Sequence, residues 1–134
     1  MRKQILLADD SAEMRKQLRG ILAQRWEWDI SGEAANGAEA VALAIASNPD
    51  LAILDISMPV QNGIQAGQQI IKVCPETSLL AISAYEPEMF LGDVIEAGFH
   101  GFVSKGSIFT ELISAIESLL RGDSYFRFSK AEHL

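Results

Sequence analysis

The chain has 134 residues, 49% of them hydrophobic, which is enough apolar matter for one packed domain and argues against disorder. Its 18 acidic residues against 11 lysines and arginines give a net charge of -7, which disfavours nucleic-acid binding by this chain and suits it to hold a cation. A lone cysteine, Cys74, excludes an intrachain disulfide. With no signal-peptide-like start and no apolar run approaching the ~18 residues of a membrane span, a soluble cytoplasmic protein is expected.

Ile5-Leu6-Leu7-Ala8 is a continuous apolar run, the pattern of a central parallel strand buried on both faces, and it ends on Asp9-Asp10. Met14, Leu18, Ile21 and Leu22 then recur at helical spacing on one face, with Arg15, Lys16, Arg19 and Arg25 off it. Residues 29–35 alternate: Ile30, Gly32 and Ala34 fall on one side, Ser31 and Glu33 on the other, as in a half-exposed edge strand. Asn36-Gly37 marks a turn, residues 38–47 an alanine-rich helix, and Asn48-Pro49 its stop. Leu51-Ala52-Ile53-Leu54 is a second buried run; it ends on Asp55, ahead of a turn at Met58-Pro59. Ile64, Ile70, Ile71 and Cys74 stripe a third helix closed by Pro75. Leu79-Leu80-Ala81-Ile82 ends on Ser83. Tyr85 and Glu86 open a fourth helix, which carries Phe90, Leu91, Val94 and Ile95 and stops at Gly98. Phe102-Val103 leads to Lys105-Gly106. A last helix carries Phe109, Leu112, Ile113, Ile116, Leu119 and Leu120 and ends at Gly122, with a polar and aromatic tail beyond.

Strand and helix alternate five times, which predicts right-handed crossovers and an α/β fold: a five-stranded parallel sheet, doubly wound, with helices on both faces. The carboxyl ends of its strands point to one edge, where open α/β sheets bind ligands. Asp9-Asp10, Asp55, Ser83 and Lys105 converge there. Singly, each has an ordinary explanation: Asp10 with Glu13 resembles a helix cap, Asp55 and Ser83 could serve turns, and Lys105 could sit in solvent. Their common position at the strand ends of one sheet is poorly explained by chance. Three close acids raise one another's pKa unless something compensates. Lys105 offsets part of that charge, and an oxygen-only donor set suits Mg2+ for the rest. Trp26, Trp28 and Cys74 read as structural, and His100 and His133 lack any metal-ligand pattern.

Leu7-Ala8-Asp9-Asp10-Ser11, Leu54-Asp55-Ile56-Ser57-Met58-Pro59 with Gly63, Ser83-Ala84 and Val103-Ser104-Lys105 together resemble the receiver domain of bacterial two-component response regulators. The resemblance covers residues 3 to about 122. Residues 33–37 (Glu-Ala-Ala-Asn-Gly) and 121–126 are similar to the NarL/FixJ branch, whose receivers precede a LuxR-type helix-turn-helix domain. The resemblance implies a flavodoxin-like (βα)5 fold with strand order 2-1-3-4-5, a receiver over 1–122, and a tail or interdomain linker over 123–134. It implies that Asp55 accepts a phosphoryl group from a sensor histidine kinase. Asp10, Asp55 and the Ser57 backbone carbonyl would hold Mg2+, with Asp9 acting through water. Lys105 would pair with the phosphate, Ser83 and Phe102 would form the switch, and Ser57 and Tyr85 would tune phosphoryl lifetime. Such a chain is not an enzyme beyond its own phosphorylation and dephosphorylation. Homodimerisation is expected, and DNA contact only through an output domain outside this chain. Two departures stand out: Gly106 follows Lys105 where many receivers have Pro, and Val60 stands where the branch commonly has Gly.

Four other readings are weaker. A haloacid-dehalogenase-type phosphatase needs a second Asp two residues after the nucleophile, and that position is Ser57. A flavodoxin-like cofactor binder needs a phosphate loop where Asp9-Asp10 would repel phosphate. A stand-alone module that signals by docking partners lacks nothing chemically. A docking module that is never phosphorylated would leave the complete acid, hydroxyl and lysine set without a purpose.

Overall fold

The computed structural model describes residues 2–85 and 87–126, with the side chains of residues 87 and 88 left aside. Glu86, His133 and most of the expected tail lie outside the described residues. Among the described residues, no helix is long and apolar enough to cross a membrane.

The elements alternate: β1 (Lys3–Ala8), α1 (Ala12–Leu22), β2 (Trp28–Ala34), α2 (Gly37–Ser47), β3 (Leu51–Asp55), α3 (Gly63–Val73), β4 (Ser78–Ser83), α4 (Pro87–Glu96), β5 (Gly101–Ser104), α5 (Ile108–Leu120) and β6 (Tyr125–Phe126). All strand pairs are parallel, in the order β2-β1-β3-β4-β5-β6. The expected order of the first five is right, and the count is corrected from five to six. The sixth strand falls in the stretch read as tail. It is two residues long, too short to carry a periodic signal, and it forms because the edge of β5 is open to pair with it.

The sheet divides the core in two. Ile5, Leu7, Leu51, Ile53, Leu80, Ile82 and Val103 pack beneath α1 and α5. Leu6, Ala8, Ala52, Leu54, Leu79, Ala81 and Phe102 pack beneath α2, α3 and α4. That two-sided burial is why the inner strands read as unbroken apolar runs. At the edge the expected alternation fails. The register slips between Ile5 and Leu6, so that Ile5 faces Ile30 and Leu6 faces Gly32. Ser31 is the extra residue of a β-bulge. Ile30 therefore packs on the α1/α5 side, whereas a Cβ at Gly32 would meet Leu6 and Leu43 on the other. Of the two tryptophans read as structural, Trp28 is buried but Trp26 is 77% exposed: it lies in the turn before β2, and only Trp28 takes the inward position.

Helix caps follow the local chemistry. Ser11, not Asp10, caps α1, its hydroxyl accepting from the Met14 N–H at 3.1 Å. Asp10 is thereby released from the capping role. Asn36 caps α2, and Asn62 with Gln65 forms a capping box on α3. The chain leaves β3 under tight constraint, because a Cβ on Gly63 would collide with the Asp55 carbonyl oxygen.

Candidate functional site: an acidic pocket at the carboxyl edge of the sheet

Asp9 follows β1 directly and is fully buried; Asp55 closes β3 and is 2% exposed. Each carboxylate is aimed by a backbone donor two residues on. Asp9 Oδ1 accepts from the Ser11 N–H at 2.9 Å, and Asp55 Oδ1 accepts from the Ser57 N–H at 3.1 Å. The Lys105 ammonium lies 2.8 Å from Asp9 Oδ2 and 3.2 Å from Asp55 Oδ2. Lys105 begins a short 3-10 turn, Lys105–Ser107, whose cap is the Ser104 hydroxyl accepting from the Gly106 N–H. Gly106 thus serves a tight turn where the family commonly has Pro.

Asp10 is exposed, and one oxygen from each of Asp9, Asp10 and Asp55 lies within 4.8 Å of the others. Three carboxylates against one ammonium leave negative charge uncompensated. Burial raises the Asp55 carboxyl above its ordinary range; the Ser57 N–H opposes this, Asp9 adds to it, and Lys105 pulls it back. Burial disfavours the Lys105 ammonium, but its contacts with Asp9 and Asp55 outweigh that, and its pKa is raised. Asp9 Oδ2 is buried against the Lys105 ammonium at 2.8 Å. An all-oxygen, anionic donor set open on the Asp10 side fits Mg2+, which keeps several waters.

The other expected residues lie around this centre. Asp55 pairs in register with Ile82 and Ser83 with Ser104, so Ser83 sits one step further out between β3 and β5. Ser83 is fully buried and accepts from the Tyr85 N–H at 3.0 Å; among the described residues its hydroxyl is not bonded to Asp55 or Lys105. Phe102 is 1% exposed beneath α4, while Tyr85 is half exposed and meets the Phe90 ring edge-on. Ser57 is exposed at the mouth. Just beyond, Val60 has φ 68° and the Gln61 N–H bonds the Pro59 carbonyl at 2.7 Å. This is the γ-turn with a positive central φ, the rarer and strained form, and it is unfavourable for a β-branched residue. The conformation explains why Gly is common at that position. His100 Nδ1 accepts from the Leu79 N–H at 2.9 Å at the far edge of the sheet, and Cys74 is buried beneath α2.

One participant escaped the sequence reading. Arg15 Nη1 donates to the Asp9 carbonyl at 2.6 Å. The signal was an arginine one turn into the helix that follows the acid pair.

Five parallel strands with a buried Asp, two neighbouring acids and a Lys at their carboxyl edge define the receiver class of signalling domain. The description "Response regulator receiver domain" matches residues 5–117, and the chain belongs to that family. It is 32% identical over 123 residues to YxjL of Bacillus subtilis (strain 168), an uncharacterised transcriptional regulatory protein; the match covers 92% of this chain and 56% of that one. It is 35% identical over 120 residues to the chemotaxis protein CheY of Halobacterium salinarum, covering 90% and 98%. The structure of a LuxR-family two-component response regulator from Aurantimonas sp. SI85-9A1 superposes with a TM-score of 0.88 at 30% identity, covering 93% of this chain and 89% of that one. The chain spans just over half the length of the transcriptional regulators it matches first.

Proposed function

We propose that this chain is a phosphoacceptor that takes a phosphoryl group onto Asp55 from a phosphorylated histidine of a sensor kinase. The observation that carries the reading is the buried Asp55 carboxylate held 3.2 Å from the Lys105 ammonium within a three-acid cluster. A carboxylate oxygen of Asp55 forms a bond to phosphorus as the bond to the donor breaks, and the leaving group keeps that electron pair. Lys105 meets the charge that develops on the phosphoryl oxygens, and such transfer needs positioning and charge neutralisation above all. Asp10, Asp55 and the Ser57 carbonyl would hold Mg2+, with Asp9 reached through water. The cation supplies further neutralisation of phosphoryl charge.

The product carries about -1.5 to -2 charge at neutral pH. Ser83, one step from Asp55 along the rim, responds to it, and Phe102 beneath the same strands completes the switch. Ser57 and Tyr85, at the mouth, set how readily water reaches the acyl phosphate. We assign residues 1–122 to the receiver, with β6 paired onto its sheet, and the rest of 123–134 to a tail or the start of a linker. The output is control of a DNA-binding domain outside this chain, with phosphorylation favouring a homodimer, all in the cytoplasm. The match across nearly the whole of a CheY favours a second output, docking by the receiver itself.

Acetyl phosphate with Mg2+ adds one phosphoryl group to the wild-type chain, read by intact mass, and none to Asp55→Asn. Equal incorporation in Asp55→Asn overturns the assignment.

A further inference from the structure

Asp9 and Asp10 are joined by a peptide group that is gripped from outside the pocket. The carbonyl of that peptide, the Asp9 C=O, accepts from Arg15 Nη1 at 2.6 Å, while the Asp9 N–H, on the preceding peptide, bonds the Ala34 carbonyl of β2 at 3.0 Å. Arg15 is itself held: its Nε donates to Glu33 Oε1 at 3.2 Å. Arg19, one turn further along α1, donates to both Glu33 oxygens, at 2.7 and 2.9 Å. The Arg15 side chain is only 20% exposed. A guanidinium is a rigid planar fork, so fixing one edge on Glu33 aims the other edge at the peptide.

We infer that Arg15 is a positioning residue for metal binding, acting through the Asp9–Asp10 peptide and not by touching the cation or the phosphoryl group. The carbonyl it grips belongs to the peptide whose next Cα carries the Asp10 side chain. Holding that peptide plane fixes the direction in which Asp10 leaves the backbone. Asp10 needs such help, because Ser11 has taken the helix cap and the Asp10 carboxylate is exposed. Outer-shell partners that orient ligands in this way cost about 10- to 100-fold in metal affinity when removed. The role is geometric, so a lysine, which has the charge but no fork, does not replace it. The inference rests on the proposal that Asp9, Asp10 and Asp55 take Mg2+.

The competing account is an ordinary ion pair that ties α1 to β2. Arg19 separates the two, because it shares Glu33 but does not reach Asp9. The test is a calorimetric Mg2+ titration of the wild-type chain, Arg15→Lys, Arg15→Gln and Arg19→Gln, each first melted by circular dichroism. Both Arg15 variants are expected to bind Mg2+ about tenfold more weakly, and Arg19→Gln to match the wild type. With acetyl phosphate, the Arg15 variants need more Mg2+ for half-maximal phosphorylation yet reach the wild-type rate at saturation. If Arg15→Gln does not fold, Arg15→Lys decides. Wild-type affinity in the Arg15 variants, or an equal loss in Arg19→Gln, overturns the inference alone. A wild-type chain that takes up no Mg2+ overturns the metal reading and the inference with it.

Discussion

The two ends of the same sheet treat buried polar groups in opposite ways. At the amino ends of the strands each group finds its partner within the chain. The fully buried Thr77 hydroxyl donates to the Pro49 carbonyl at 2.7 Å, Asp50 Oδ2 accepts from the Gln4 N–H at 2.8 Å, and His100 Nδ1 caps the Leu79 N–H. At the carboxyl ends three carboxylates face one ammonium, Asp55 is held above its ordinary pKa by burial, and Val60 is in a left-handed conformation. Polar groups that close on one another hold the fold. An acid cluster carrying more negative charge than its one ammonium offsets is where a cation has something to add.

The contrast can be broken or sharpened by substitution. The largest effect is expected at the closed end: Thr77→Val leaves the buried Pro49 carbonyl without its donor and costs about 2 kcal/mol in urea denaturation. A loss near zero would remove the distinction between the ends. His100→Leu strips the Leu79 N–H of its acceptor and costs about 1 kcal/mol at pH 8. Burial holds the His100 pKa below 6.5. Its contribution is therefore present above 6.5 and lost as the pH falls through the folded-state value, so the variant and wild type should converge in acid.

At the open end the signs reverse. Val60→Gly relieves the positive φ of a side chain that is 82% exposed and packs against little. It is expected to gain about 1 kcal/mol, raising the urea midpoint at unchanged slope. Without metal, Asp55→Asn is expected to raise the melting midpoint by a few degrees at neutral pH. A carboxyl whose folded pKa is raised stabilises fully below its ordinary value of 3.8, and that stability is lost as the pH rises through the folded value. The advantage of Asn should vanish as the pH drops below that range. An advantage that persists in acid would mean that packing, not charge, is responsible.

What could be read from the sequence followed from burial. Ile5–Ala8, Leu51–Leu54 and Leu79–Ile82 are apolar because both sheet faces are covered, so their ends, and the acids and Ser83 there, were legible. Features set by tertiary contacts were not. The bulge at Ser31 depends on the register with β1, and no pattern within residues 29–35 announces it. The exposure of Trp26 depends on how the turn before β2 is directed. Arg15 looked like a solvated residue off the apolar face, because the carbonyl it holds belongs to another element. Val60 could be flagged by comparison with a family pattern, but its φ gives the physical reason.

The short sixth strand changes how force leaves the domain. Gly122, at φ 92°, turns the chain back after α5; the Tyr125 N–H is bonded to the His100 carbonyl, and the Tyr125 hydroxyl donates to Glu111 Oε1 at 2.9 Å. Phe126 lies in register beside Phe102. Any segment continuing past Phe126 is thus moored to the sheet beside Phe102, not slung from the end of a helix. A displacement of β5 is expected to carry that mooring with it, because Tyr125 and Phe126 pair directly with Gly101 and Phe102.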